Sequence, residues 1–181
     1  MNDSLIPYRY AKALYKLTVE KGNSKEMYEE MKRLSESFRR NPGLQKVLSN
    51  PFVSRSAKES TLLKAAGDDA DPDYSAFIRL VLDHHRDEYF CLMALAFQRI
   101  YREEHKISSV DIRTASNLDN DQIEKIKSIV RNSFPERSFE FTTSVDPDII
   151  GGFVVDVDSV RMDASVSNEI EQLRQKLLSG N

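Results

Sequence analysis

The adjacent glycines Gly151 and Gly152 are candidates for a phosphate-binding loop. Glycine-rich loops hold phosphates where they lead into a helix, because the first N–H groups of a helix bind anions. Such a loop also carries Lys-Ser or Lys-Thr after its last glycine. Here neither dipeptide follows, and Phe153-Val-Val-Asp-Val157 predicts a strand instead of a helix. We therefore interpret the pair as a bend or a close backbone approach within a strand.

Acidic residues around the glycine pair are the second candidate, because carboxylates are the ligands that Mg²⁺ prefers. Asp156 and Asp158 share one face of the predicted strand. No lysine, arginine cluster or phosphate-binding loop accompanies them in the sequence. We interpret them as the solvent-facing side of a half-buried strand and expect no metal site, with a magnesium-dependent phosphotransferase as an alternative. The acids considered are Asp146, Asp148, Asp156, Asp158 and Asp163.

The histidines and the single cysteine do not form a catalytic set. His84 and His85 are adjacent on a predicted helix and point about 100° apart, whereas a zinc-protease helix spaces its histidines as H-E-x-x-H. We interpret them as helix-terminal polar residues, and Cys91 as a small buried hydrophobic residue that has no disulfide partner. No serine lies in a nucleophile-elbow pattern. The sequence therefore predicts a protein that is not an enzyme and that binds no cofactor.

The composition argues against two further classes of partner. The 181 residues include 26 Lys and Arg and 29 Asp and Glu, so the chain lacks the excess of cations that binds nucleic acid. The N-terminus has no basic segment followed by an apolar one, which predicts no secretory signal. No stretch approaches the roughly 20 apolar residues of a membrane helix. We expect a soluble, cytosolic protein whose link to a membrane runs through a partner.

The predicted secondary structure differs between the two parts of the chain. The first part predicts helices that end at Gly22-Asn23, Asn41-Pro42-Gly43 and Ser49-Asn50-Pro51, which are helix-stop signals. The predicted helices cover about residues 6–21, 24–40, 44–48, 55–67, 74–84 and 89–104.

The pattern changes near Lys106. Alternation over residues 110–114 and 139–143 predicts strands, and the glycine tract and the residues after Ser159 add two more. Asp119 and Gln122 form a capping-box pattern that begins a helix, and an amphipathic helix covers residues 166–177. The sequence therefore predicts an α+β fold: a six-helix bundle over residues 1–105 and a small α/β domain over residues 106–181.

The first and fifth predicted helices are more apolar than surface helices. An ordinary surface helix has an apolar stripe somewhat over 100° wide, but the first helix is apolar over roughly 240°. On the fifth helix, Ala76 and Leu80 widen the apolar face. A bundle of this size can bury one helix so fully, and two such helices suggest that part of the surplus meets another chain. Small residues such as Ala13 and Ala76 permit the close approach of helix-in-groove recognition.

Three stretches resemble the delta subunit of the F-type ATP synthase, whose mitochondrial counterpart is the oligomycin-sensitivity-conferring protein. They are Arg9-Tyr-Ala-Lys-Ala-Leu14, the tract from Val145 to Val155, and Asp163-Ala-Ser-Val166. The resemblance covers nearly the whole chain in length and in order of parts. The chain departs from the family pattern at Asp156, where a basic or amide residue is common, and before Arg86, where asparagine is usual. The C-terminal motif residues are Asp146, Gly151, Gly152, Asp163 and Ser165.

The resemblance implies a non-catalytic stator subunit that joins the catalytic head to the peripheral stalk, so that rotor torque drives ATP synthesis. It implies a peripheral location on the cytoplasmic face of the bacterial cell membrane. The C-terminal domain would bind the C-terminal ends of the b subunits, and the bundle would hold the N-terminal helix of an alpha subunit between its first and fifth helices. A free-standing adaptor that binds an amphipathic helix of another complex is the alternative. The positions that match the groove are Tyr10, Ala13, Leu14, Leu17, Ala76, Arg79 and Leu80.

Overall fold

The computed structural model describes residues 5–67, 71–133 and 137–179. The chain divides into two compact units, with the boundary between Glu104 and His105. The first unit contains α1 (Leu5–Lys21), α2 (Ser24–Arg40), α3 (Gly43–Ser49), α4 (Arg55–Ala66), α5 (Pro72–Asp83) and α6 (Phe90–Glu104). The second contains β1 (Ile107–Thr114), α7 (Asn120–Ser133), β2 (Ser138–Val145), β3 (Gly152–Val157), β4 (Val160–Ser165) and α8 (Val166–Ser179). The predicted α+β class is confirmed.

The core of the first unit forms around α2 and α6, which pack against each other. α1 packs on α6, while α4 packs on α2 and α5 packs on α4. α2 presents its apolar residues at helical spacing, as expected for a helix that buries one face. Its buried hydrophobic residues are Met27, Tyr28, Met31, Leu34 and Phe38.

The predicted apolar face of α5 forms part of this core. It begins after Asp71, whose side chain accepts the N–H of Asp73 at 2.7 Å and so caps the helix. The hydroxyl of Tyr74 donates to the carbonyl of Leu62 at 3.0 Å, which satisfies a buried polar group. The buried residues of α5 are Tyr74, Phe77, Ile78, Val81 and Leu82.

An ion pair holds α4 against the segment that precedes α6. Lys58 is only 8% exposed; its Nζ donates to the carbonyl of Leu48 at 2.5 Å and pairs with the carboxylate of Asp87. Lysine is seldom buried without such partners. Lys58 therefore ties together the end of α3, α4 and the short 3₁₀ helix Asp87–Tyr89.

The second unit is a four-stranded sheet in the order β2-β1-β3-β4. β1 and β2 are parallel, which requires a crossover, and α7 provides it. β3 lies antiparallel to both β1 and β4. One face of the sheet packs against α7 to form the core of the unit. The buried members of that core are Val110, Ile112, Ile126, Val130, Val155 and Val157.

The predicted capping box of α7 is confirmed. Gln122 donates its N–H to Asp119 Oδ1 at 2.8 Å, and the N–H of Asp119 donates to Gln122 Oε1 at 3.1 Å. This reciprocal pair satisfies two backbone donors at the start of the helix. The beginning of α7 is therefore encoded by two residues three positions apart.

Gly152 begins β3 at a point where a side chain has no room. Its φ is 73°, and a Cβ at this position would lie 2.1 Å from the carbonyl oxygen of Ala164 in β4. A Cβ at Gly151 would meet Cγ2 of Val166 at 3.0 Å. The predicted strand after the glycines is confirmed, and the pair lets the start of β3 approach the backbone at the end of β4.

Candidate functional site

A groove runs between α1 and the C-terminal end of α5. It contains a cavity of about 390 Å³. The core face of α1 consists of Pro7, Ala11, Leu14 and Thr18, so the next face around this helix is left to line the groove. The cavity is lined by Ile6, Arg9, Tyr10, Ala13, Leu80, His84 and Arg86.

Tyr10 connects the two sides of this groove. Its ring contacts Phe77 edge to face with centroids 6.5 Å apart, and its hydroxyl lies 2.7 Å from Nδ1 of His84. Further along the two helices, Nζ of Lys21 lies 2.5 Å from Oδ1 of Asp73. These contacts fix α1 and α5 beside each other, so the groove is formed without a partner.

Three of the seven predicted binding residues line the cavity: Tyr10, Ala13 and Leu80. The other four lie elsewhere on the same helices. Leu14 is only 4% exposed and belongs to the core, while Leu17 and Ala76 are exposed. Arg79 is exposed and forms an ion pair with Glu59, with Nε 2.7 Å from Oε1.

Four residues that line the cavity were not among the predicted binding residues: Ile6, Arg9, His84 and Arg86. Arg9 could have been found, because it lies four positions before Ala13 and therefore on the same side of the helix. His84 is the C-terminal cap of α5 and donates its N–H to the carbonyl of Leu80 at 3.2 Å, which confirms its interpretation as a helix-terminal residue. Its second role depends on the packing of α5 against α1, which local sequence does not encode.

The second unit has an apolar stripe that none of its own described elements covers. Along α8, Val166, Ile170, Leu173 and Leu177 are all exposed, and the last is 80% exposed. Their 4-3-4 spacing is that of a coiled-coil seam. The edge strand β4 adds exposed apolar residues on one face, Val160 and Met162. Several exposed apolar side chains on one helix face are typical of an interaction site.

Hydrogen bonds among the motif residues fix where this stripe begins. Asp163 Oδ1 accepts the N–H of Ser165 at 3.0 Å and its hydroxyl at 2.6 Å, and these bonds hold the pKa of Asp163 below its usual range. The Ser165 oxygen in turn accepts the N–H of Asn168 at 3.2 Å, at the start of α8. The carbonyl of Gly151 accepts the N–H of Val166 at 3.0 Å. The motif therefore positions the first turn of α8.

The carboxylates of β3 are engaged with arginines. Asp156 lies between Arg161, with Nε at 2.7 Å, and Arg113, with Nη2 at 2.7 Å, and these bonds lower the pKa of Asp156. Asp158 pairs with Arg137 at 3.0 Å. The sequence shows no arginine cluster beside these acids, but strand pairing brings Arg113 of β1 and Arg161 of β4 to Asp156. Within the described ranges, no group of three or more potential ligands could hold a metal ion.

Two further sequence expectations concern α6 and membrane insertion. Cys91 is half-buried, less than expected, and burial raises the pKa of its thiol. No helix in the described part of the chain combines the length and the apolar character needed to span a bilayer.

Comparisons with known proteins cover nearly the whole chain. The sequence model of the ATP synthase delta (OSCP) subunit family matches residues 6–177. The ATP synthase subunit delta of Parabacteroides distasonis is 35% identical over 98% of this chain and 98% of its own length. That of Phocaeicola vulgatus is 32% identical over 98% of this chain and 96% of its own length. A chain of the Toxoplasma gondii mitochondrial ATP synthase hexamer, determined by cryo-EM, has the same fold, with a TM-score of 0.72 at 18% identity, over 95% of this chain and 97% of that chain.

Proposed function

Because this chain belongs to the ATP synthase delta (OSCP) subunit family, we propose that its groove between α1 and α5 holds the N-terminal helix of an alpha subunit. As a member of this family the chain is a non-catalytic stator subunit of the ATP synthase. A stator subunit acts mechanically, because it holds the stationary parts of the complex together while the rotor turns. The main support for this proposal is the open cavity lined by Tyr10, Ala13 and Leu80.

The lining of the groove suits a helix in particular. Ala13 presents only a methyl group, so the backbone of a partner helix can approach closely. Ile6 and Leu80 provide apolar contacts on the two sides of the cavity. Burial of apolar surface contributes about 25 cal/mol per Å², but it gives affinity only where anchoring side chains fit well. The alpha-subunit helix therefore needs small or apolar residues facing Tyr10 and Ala13.

The second unit binds the C-terminal ends of the b subunits through the stripe on α8 and the exposed side chains of β4. The 4-3-4 spacing of Val166, Ile170, Leu173 and Leu177 supports a helical partner, because helices pack side by side with this periodicity. The unit carries more acidic than basic residues, which suits a basic segment in that partner. In this arrangement the protein lies on the cytoplasmic face of the membrane and reaches it only through the complex.

Substitution of Ala13 by Asp tests the groove. The carboxylate would fill the space where the partner backbone approaches. We therefore expect an alpha-subunit N-terminal peptide to bind at least tenfold more weakly, which corresponds to a loss of about 1.4 kcal/mol in binding free energy. The peptide comes from the same organism, and affinity is measured by calorimetric titration. Ala57→Asp, at an exposed position of α4 outside the groove, is the matched control. Unchanged affinity in a folded Ala13→Asp protein, with the helix content of the parent, contradicts the groove assignment.

Substitution of Leu173 by Asp tests the second surface. Leu173 lies in the middle of the exposed stripe, and a charge there would have to be buried by the b subunits. We expect loss of the b subunits from the complex isolated from membranes while binding of the alpha-subunit peptide is unchanged. Gln172→Asp, also exposed on α8, is the control. Isolation of the parent protein without alpha, beta, gamma and b subunits favours the free-standing adaptor instead.

A further inference from the structure

One end of the groove is cationic. Arg9 of α1 and Arg86, three residues beyond the end of α5, line the cavity together with His84. Among the described residues that line it, none is acidic. The apolar positions Ala13 and Leu80 therefore continue into a region where the charged side chains among the described lining residues are the arginines Arg9 and Arg86.

Two carboxylates that flank Arg86 in sequence are paired with other cations, while that of Glu88 is exposed and forms no ion pair with Arg86. Asp83 Oδ1 lies 2.6 Å from Nη1 of Arg55, and the carboxylate of Asp87 pairs with Lys58. Arg86 lies between these two acids in the chain, yet its guanidinium has no hydrogen-bond or ion-pair partner among the described residues. Of the seven arginines in the first unit other than Arg9 and Arg86, Arg33 donates to the carbonyl of Ala66 and five have carboxylate partners: Arg39, Arg40, Arg55, Arg79 and Arg99.

A helix that covers this groove removes water from both guanidinium groups. A charge that loses its hydration without gaining a partner opposes binding, whereas a guanidinium that meets a carboxylate forms strong, directional hydrogen bonds. Charge complementarity therefore decides which helices fit, beyond the apolar contacts over Ala13 and Leu80.

We propose that Arg9 and Arg86 select a partner helix that carries an Asp or Glu about one turn from the residue covering Ala13. The spacing follows from α1, where Arg9 and Ala13 are one helical turn apart. This inference rests on the function proposed above and adds to it the chemistry of the residue that is recognised. Arg9 and Arg86 are specificity-determining residues of the groove.

A double-mutant cycle tests the proposal. The full-length protein is titrated with the alpha-subunit N-terminal peptide and with versions in which each acidic residue is replaced, one at a time, by its amide. We expect Arg86→Gln and Arg9→Gln each to weaken binding of the parent peptide five- to tenfold, and the effect to shrink as salt rises. One of the amide peptides is expected to bind the parent protein five- to tenfold more weakly than the parent peptide does. The same amide peptide is expected to bind the arginine variants with almost the affinity that it has for the parent protein.

Arg99→Gln is the matched control, because Arg99 pairs with Glu103 and does not line the cavity. An alpha-subunit peptide without an acidic residue in this region, amide peptides that bind as tightly as the parent, or purely additive losses overturn the inference. The two proposals fail separately. If Ala13→Asp weakens binding but neither arginine variant does, the groove assignment stands and charge recognition is wrong; if Ala13→Asp has no effect, the groove assignment itself fails.

Discussion

Replacement of Gly152 by alanine tests the structural role of the glycine pair. A Cβ at this position would lie 2.1 Å from the carbonyl oxygen of Ala164, whereas nonbonded atoms pack at about 3.5 Å or more. The obstacle is backbone, which cannot rotate away as a side chain can. β3 and β4 must therefore separate at the point where Gly152 pairs with Ser165.

The expected cost combines three contributions. The left-handed φ of 73° costs a residue with a Cβ about 1–2 kcal/mol. Loss of a strand-pairing hydrogen bond costs about 1 kcal/mol, while the lower conformational entropy of alanine in the unfolded chain returns about 0.5–1 kcal/mol. We expect Gly152→Ala to lower the free energy of unfolding of the second unit by about 1–2.5 kcal/mol.

Hydrogen exchange of the β3 and β4 amides measures this loss in the unit that carries the substitution. Tyrosine fluorescence reports on the other unit, because all seven tyrosines precede the boundary. Gly151→Ala is the matched control: its φ lies outside the left-handed region, and its Cβ meets only the side chain of Val166. Gly22→Ala, with a φ of 76° and nothing within 4 Å, isolates the cost of the dihedral angle. Exchange in Gly152→Ala no faster than in Gly151→Ala would contradict the predicted clash with the backbone of β4.

Two further substitutions probe buried charge in the first unit. Lys58→Met leaves the Asp87 carboxylate and the Leu48 carbonyl without their donor. Urea unfolding is therefore expected to show a free energy of unfolding lower by about 3 kcal/mol. Part of this loss is expected to be recovered when Asp87 is also replaced by an apolar residue. Burial raises the pKa of Glu30, whose Oε1 accepts the N–H of Asp71, so the folded state binds the proton more tightly than the unfolded chain. The contribution of Glu30 to stability therefore falls as pH rises from about 4.5 through its folded pKa. In unfolding experiments, the free energy of unfolding of Glu30→Gln is expected to rise relative to that of the parent as the pH increases through this window. A difference between the two proteins that does not change with pH would contradict this.

The helices and strands were predictable because their signals are local. Gly22-Asn23 ends α1, and Asp119 with Gln122 begins α7, each through residues a few positions apart. The inward face of α5 could likewise be read from helical spacing alone. These features depend on backbone geometry within one or two turns, which a sequence encodes directly.

The composition of the candidate site was only partly predictable, because it depends on contacts between distant residues. Tyr10 and His84 are far apart in sequence, and no periodicity relates them. The same is true of Arg113 and Asp156, which are brought together by the pairing of β1 with β3. Helical spacing indicated the apolar residues Ala13 and Leu80 and could have indicated Arg9, but the position of Arg86 in the groove became visible only when α5 was packed against α1.

The two proposed docking surfaces would place different demands on their partners. The groove is held open by the bond between Tyr10 and His84 and by the ion pair of Lys21 with Asp73, so a helix that enters it need not rearrange the protein. Preorganisation of this kind favours tight binding, because little conformational freedom is lost on association. The stripe of α8 has no such enclosure and depends on the partner to cover Leu177 and its neighbours. In the proposed function, the first unit would therefore hold its partner through a preformed groove and the second through the length of an apolar helix face.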